Sequence, residues 1–187
     1  MRPQKVNDID ILTGLANIFR SKGYEGASLK ELSEATGLKK ASLYHRFPKG
    51  KQEMAEAVLL YLDDWVGQNV IRHFLDDNLT PTTRLQTGLN GIKQLYNGGN
   101  EICIFRALSM QTGLELFESQ IKQGMQEWIS ALKSLGEAFG LNLEAAENQA
   151  VQTLIQIQGS LIVSKGLADL SVFENTLNTI EHTYLTN

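Results

Sequence analysis

The sequence is poor in the residues that staple or interrupt a chain, with one cysteine and three prolines among its 187 residues. A single cysteine excludes an internal disulfide framework and fits a reducing compartment. So few prolines leave room for long, uninterrupted helices. No run of about 18 apolar residues occurs and the opening MRPQKVNDID lacks an apolar signal region, so no membrane partner and a cytoplasmic location are expected. Period-two alternation, internal repeats and low-complexity tracts are absent as well, while the 42% hydrophobic content is ample for a buried core. These features together give an all-α expectation.

The usual constellations of catalysis are missing too. His45, His73 and His182 are far apart and show no metal-ligand spacing, and Cys103 has no Cys or His nearby. Flanked by Ile102 and Ile104, Cys103 reads as a buried, inert thiol, with redox sensing as the alternative. There is no phosphate-cradling glycine loop and no GxSxG. Asp63-Asp64 and Asp76-Asp77 are adjacent pairs, which diverge around a helix instead of converging. No catalytic residue, metal site or cofactor is expected.

What is present is an uneven charge distribution. The net charge of −4 divides into +5 over residues 1–51 and −9 over residues 52–187. A basic first quarter on an acidic remainder suits a chain that meets nucleic acid at one end only. Arg2 and Lys5 add to that end, as a possible reach to phosphate or as a solvated terminus.

The informative stretch is Gly23 to Glu53. Ser28 followed three residues later by Glu31 has capping-box spacing, and predicts a helix from Leu29 to about Ala35. Thr36-Gly37-Leu38 then supplies a glycine able to take the left-handed conformation between two helices. A second short helix follows, from about Lys39 to Arg46. With Leu32, Ala35, Leu38 and Leu43 inward, this is the sequence form of a helix-turn-helix. The outward residues Lys39, Lys40, Ser42, Tyr44, His45 and Arg46 suit phosphate oxygens and base edges.

At these residues the chain resembles the TetR family of bacterial transcription regulators. The resemblance rests on Gly23-Tyr24, Ser28, Gly37, Leu43-Tyr44, Phe47 and Lys51, in the family's order and spacing. Phe47-Pro48-Lys49-Gly50-Lys51 is one residue longer than the usual interval, and in this it is similar to a minority LmrA/YxaF-like branch. The resemblance implies DNA contacts from Ser28, Lys39, Lys40, Ser42, Tyr44, His45, Lys49 and Lys51: Lys39, Lys40 and His45 toward the groove, Ser28, Tyr44, Lys49 and Lys51 toward phosphates. Whether Lys49, Lys51 or both take the phosphate position is open at this stage. Packing of Tyr44 on Phe47 and a purely surface role for His45 are open too.

Elsewhere the pattern is helical throughout. Ile9, Leu12, Leu15, Ala16 and Phe19 mark a helix from Asn7 to Lys22 with one core-facing stripe. A long linking helix spans about 51–77, and Leu79-Thr80-Pro81 opens the next, to about Tyr96. Asn97-Gly98-Gly99-Asn100 is a breaker. Helices are expected over approximately Glu101 to Met110, Leu114 to Gly140 with a kink near Gly124, Leu143 to Leu167, and Ser171 to about Tyr184. The expected division is a helix-turn-helix domain over 1–51 and a helical ligand-binding and dimerisation domain over 78–187.

In the family the second domain encloses a ligand pocket and its last two helices pair with their copies. By this resemblance Cys103, Phe105, Met110, Phe117, Met125 and Trp128 are candidates to line a pocket for a small, apolar effector, with ordinary core packing as the alternative for each. The residues themselves give the helix at 143–167 two stripes, one of Val151, Leu154, Ile155, Leu161 and Ile162, the other of Ala150, Ile157, Ser160 and Ser164. Val151, Leu154, Ile155, Gln158, Leu161, Ile162, Phe173, Leu177 and Ile180 are the candidate homodimer interface. The expected function is a ligand-responsive repressor, dimeric on a near-palindromic double-stranded operator and released by the effector. The alternatives are a helix-turn-helix activator or adaptor that recruits a protein partner, and a small-molecule-binding helical enzyme.

Overall fold

The computed structural model describes residues 7–186, and every regular element within them is helical. Arg2 and Lys5 lie outside the described residues. The chain folds into two compact units, each assembled from two separate stretches of sequence. Unit 1 holds residues 7–63 with Ile104–Ile121, and unit 2 holds Asp64–Cys103 with residues 122–186.

In unit 1, α1 (Asp8–Gly26) starts at Asn7, whose side chain accepts the Ile9 N–H. Its buried stripe is Ile11, Leu15, Ala16 and Phe19, while Ile9, expected on that stripe, is 55% exposed in the first turn. Helices α2 (Leu29–Thr36) and α3 (Lys40–Arg46) follow. Gly37 joins them at φ 65°, the left-handed conformation expected of it. A Cβ on Gly14 would stand 2.4 Å from the Ala35 carbonyl oxygen, so α1 and α2 approach as closely as they do because residue 14 has no side chain. Ala35 itself is exposed, and Thr36 takes the inward position.

The Ile104–Ile121 segment, expected in the C-terminal domain, packs inside unit 1. It comprises α7 (Ile104–Leu108) and the first part of α8 (Gln111–Ala138). Ile104, Leu108, Phe117 and Ile121 join one apolar core with Leu15, Phe19, Leu32, Leu43, Met54 and Val58. The C-terminal end of α1 receives them. Tyr24 meets Phe117 edge-on at 5.3 Å between centroids, and the Glu25 carboxylate accepts the Gly113 N–H at 3.1 Å. Helical periodicity could place this segment on helices but carried no information about which core they enter.

The linking helix is not uniform. α4 (Lys51–Val66) passes into a π-helical turn over Gly67–Ile71 and then α5 (Arg72–Leu75). The chain thus departs from regular geometry here and not at Gly124, through which α8 runs unbroken. Within unit 2, α6 (Pro81–Leu95) lies close against the π turn and α5. A Cβ on Gly91 would stand 2.1 Å from the Asn69 carbonyl oxygen, and one on Gly88 would stand 2.0 Å from the Phe74 ring. Arg84 completes the contact. It is 4% exposed, and both Nε, at 2.7 Å, and Nη2 donate to the Phe74 carbonyl, while Nη1 reaches Asp77 at 3.0 Å. A buried guanidinium thereby satisfies a carbonyl that the end of α5 leaves without an intrahelical donor.

The other unit-2 elements are the distal part of α8, α9 (Leu143–Leu167) and α10 (Ser171–Thr186). α9 resolves its two stripes: Ala146, Ala150, Thr153, Ile157, Ser160, Leu161 and Ser164 face the protomer interior. Val151 and Leu154 are half-buried, and Ile155 and Ile162 are 56% and 50% exposed. The small residues face inward because they let neighbouring helices approach, as glycine does on α6.

Replacing Arg84 with Met is expected to lower the stability of the protein by about 1–3 kcal/mol, the cost of leaving the Phe74 carbonyl buried and unpaired. Asp77 is 90% exposed at its side chain, so Asp77→Asn should cost less than about 1 kcal/mol. Urea midpoints of the two variants check the ordering.

Candidate nucleic-acid interface

The second helix of the helix-turn-helix is α3, and one residue orients it. Leu43 is completely buried. Taking about 100° per residue, Ala41 and His45 each lie about 160° from Leu43, on either side of the outward midline, whereas Tyr44 and Ser42 lie about 100° away and Lys40 about 60°. Ala41, Ser42, Tyr44, His45 and Lys40 are all exposed. Lys39 is the N-cap and provides no side-chain cap. The centre of the outward face is therefore Ala41 and His45, with Lys40 and Tyr44 on one flank. Ala41 is absent from the residues expected at DNA because residue type alone favours polar side chains. The helical wheel about Leu43 is the signal that finds it.

The structure separates the residues expected at phosphates. Ser28 is exposed but engaged in the capping box: its hydroxyl donates to the Glu31 carboxylate at 2.7 Å and accepts the Glu31 N–H at 3.2 Å, and its own N–H donates to the same carboxylate at 3.1 Å. With a carboxylate already on that hydroxyl, Ser28 is a helix cap before it is a phosphate ligand. The hydrogen bonds from Ser28, side chain first, hold the Glu31 carboxyl below its ordinary value, and Lys22 at 3.8 Å adds to the effect.

Lys51 is also turned inward. Its ammonium donates to the carbonyls of Ala27 at 3.3 Å and Glu25 at 3.4 Å, and lies 4.6 Å from the Tyr24 ring centroid. Lys49 is exposed, and its backbone N–H donates to Glu53 at 2.8 Å, capping the first turn of α4. Between them Gly50 turns the chain at φ 69° and lies against the Tyr44 ring. Of the two lysines, Lys49 has its ammonium available. Arg46 is held by Asp8 at 2.8 Å, with its guanidinium 5.8 Å from the Phe47 ring, so it braces α3 on α1.

The expected effector-pocket residues do not form one group. Phe105 and Phe117 pack in the unit-1 core, Phe117 fully buried, and Met110 is 61% exposed. Cys103 and Trp128 are buried in unit 2, and Met125 is 37% exposed. A cavity of about 300 Å³ instead lies between α6 and α10, where the buried Leu89 and Leu177 meet Asn90 and Asn178. Lys93–Glu174 at 2.5 Å and Gln86–Glu181 at 2.8 Å also line it. None of the six expected residues does. The interface candidates on α10 are corrected similarly: Phe173, Leu177 and Ile180 are buried within the protomer, as is Leu161 of α9. Among the described residues no group of three or more His, Cys, Asp or Glu is placed to hold a metal, and no helix is long and apolar enough to cross a membrane.

Two stability measurements test this internal wiring. A carboxyl with a lowered folded value contributes stability above its ordinary value, 4.5 for Glu31, and that contribution is lost as pH falls through the folded value. Glu31→Gln keeps the capping geometry but not the charge, so it should destabilise the protein at neutral pH and flatten the loss of Tm as pH falls below the ordinary carboxyl value. Lys51→Ala should cost about 1–2 kcal/mol of stability, whereas Lys49→Ala should leave the unfolding midpoint unchanged.

The comparisons with known proteins agree with this geometry. Residues 11–58 match the family described as bacterial regulatory proteins, tetR family. The chain is 26% identical over 185 residues to an uncharacterised HTH-type transcriptional regulator of the lacX 3′ region of Lactococcus lactis subsp. lactis, covering 93% of this chain and 91% of that one. It is 22% identical to the HTH-type transcriptional regulator LmrA of Bacillus subtilis, over 82% and 84% of the two chains. Among solved structures, a TetR transcriptional regulator from Legionella pneumophila superposes with a TM-score of 0.80 at 23% identity, over 98% and 99% of the chains. A cysteine mutant of the TetR family regulator CifR, solved with 26-bp double-strand operator DNA, superposes with a TM-score of 0.75 at 20% identity, over 98% of each. With the capped helix-turn-helix, the outward face of α3 and the all-helical fold in agreement, residues 11–58 form a DNA-binding domain of the bacterial tetR regulatory family, and the chain as a whole has the TetR fold.

Proposed function

We propose that the protein is a ligand-responsive repressor that binds a near-palindromic operator as a homodimer and leaves it when a small molecule binds. The observation that carries the DNA part is the outward face of α3, where every side chain from Lys40 to Arg46 except Leu43 is exposed. CifR, in complex with operator DNA, lends this reading further support. In the present chain the proposed phosphate contacts are Lys39, Lys40, Tyr44 and Lys49, with Ser42 and His45 toward the bases; Ser28 and Lys51 act behind them as cap and brace.

Dimerisation is supported by α9. Ile155 and Ile162 are exposed and seven residues apart, on the side opposite the buried Ile157, with Val151 and Gln158 beside them. Gly159 and Gly166 carry the same heptad spacing and open onto free space. Apolar residues and glycines at that interval suit close packing of a helix from a second copy. Two copies would then present two α3 helices to half-sites one helical turn apart, occluding the DNA from other proteins. The effector enters by family resemblance and acts only by binding the DNA-competent and DNA-incompetent conformations with different affinity.

Selection of bound sequences from random DNA at roughly physiological salt is expected to enrich an inverted repeat; no enrichment from folded protein would overturn the proposal. Lys49→Ala should weaken binding evenly across sequences and lower the slope of log K against log salt by about 1. The double change Ile155→Lys and Ile162→Lys should yield monomers in sedimentation and abolish preference for the repeat over a single half-site.

A further inference from the structure

We infer that Ala41 is a specificity-determining residue, whose methyl group selects a thymine methyl in each operator half-site. The inference rests on the proposal that α3 enters the major groove. Ala41 is the second residue of α3, near the end of a recognition helix that meets base edges. Burial of Leu43 turns Ala41 to the outward midline, and Ala41 is exposed. Lys39, Lys40, Ser42, Tyr44 and His45 around it all carry polar groups, so it is the apolar point at the centre of the face.

The chemistry of the groove then fixes what it reads. Alanine offers neither donor nor acceptor, so it cannot pair with the N7 and O6 of guanine, the N4 amine of cytosine or the N7 and N6 of adenine. Set against such an edge it would strip water and return no hydrogen bond. The 5-methyl of thymine is the feature of the major groove that gains from apolar contact. The short side chain also lets the helix backbone come close to the bases, while Lys40 and Tyr44 on the flank have the length to reach phosphates.

The test uses deoxyuridine, which keeps every hydrogen-bonding group of thymine and lacks only the methyl. Sequences are first selected with the unaltered protein, and each thymine of the half-site is then replaced by deoxyuridine in turn. One position, the same in both half-sites, should lose affinity roughly fourfold per half-site, the effect of a single methyl-sized contact. In Ala41→Gly and Ala41→Ser, thymine and deoxyuridine should bind equally at that position, while discrimination elsewhere persists. A selected inverted repeat with no deoxyuridine-sensitive position, or with a sensitivity that both variants retain, would overturn the role of Ala41 and leave operator binding standing. Failure of the unaltered protein to select any sequence would overturn both. Where one variant folds poorly the other assigns the position, and absence of any sensitive position in the unaltered protein overturns the role without either.

Discussion

The reading surface depends on the burial of one side chain, Leu43. Seven residues are too few for α3 to persist as an isolated helix, so its existence and its rotation both come from tertiary contact. Leu43 enters a core with Leu32, Phe47 and Met54, and full burial of a leucine contributes about 2 kcal/mol. A slip of one residue would turn the helix by about 100° and put a polar neighbour in that core. Arg46 on Asp8 and the Tyr44 ring against Gly50 hold the C-terminal end in the same setting. The outward position of Ala41 and His45 follows from this constraint.

The positive charge of the first quarter is divided by use. Lys51 serves carbonyls and an aromatic ring, Lys22 pairs with Glu31 and Arg46 with Asp8. Lys39, Lys40 and Lys49 are exposed. The net +5 of residues 1–51 therefore overstates the charge presented outward, and the lysines that matter for an anionic partner cluster at the start of α3 and in the link to α4. Internal use of the remainder is itself informative: a cation held over Tyr24 and on the carbonyls of Glu25 and Ala27 fixes the end of α1, to which Phe117 and Gly113 also attach.

Close backbone approach recurs as the means of building each unit. Gly14 in unit 1 and Gly88 and Gly91 in unit 2 occupy places where a Cβ would overlap a carbonyl or a ring. Such contacts bring helices together tightly, and they tolerate little adjustment. In unit 2 they fall on the π turn and α5, where Arg84 ties the Phe74 carbonyl to α6.

Local chemistry made much of the protein legible in the sequence. The Ser28–Glu31 capping box, the left-handed Gly37 and the span of α9 from Leu143 to Leu167 depend on residues within a few positions of one another, and all stand in the structure as read. The resemblance around Leu43-Tyr44 and Phe47 identified the family for the same reason. Decisions that needed distant partners were invisible. Helical periodicity says that α9 has two apolar faces but not which one the protomer uses, and the family resemblance, applied to the apolar stripe of α10, placed Phe173, Leu177 and Ile180 at an interface when they are buried within the protomer. Nor could it assign Ile104–Ile121 to unit 1, because that depends on Tyr24, Glu25 and Gly113, which are far apart in the chain. Residue type made Lys49 and Lys51 equivalent, and only the position of the α1 carbonyls and the Tyr24 ring turned one inward and left the other outside. Sequence thus determined the elements and the family, through short-range capping and spacing, whereas the tertiary structure decided which side chains are free to act, because freedom depends on what else has folded against them.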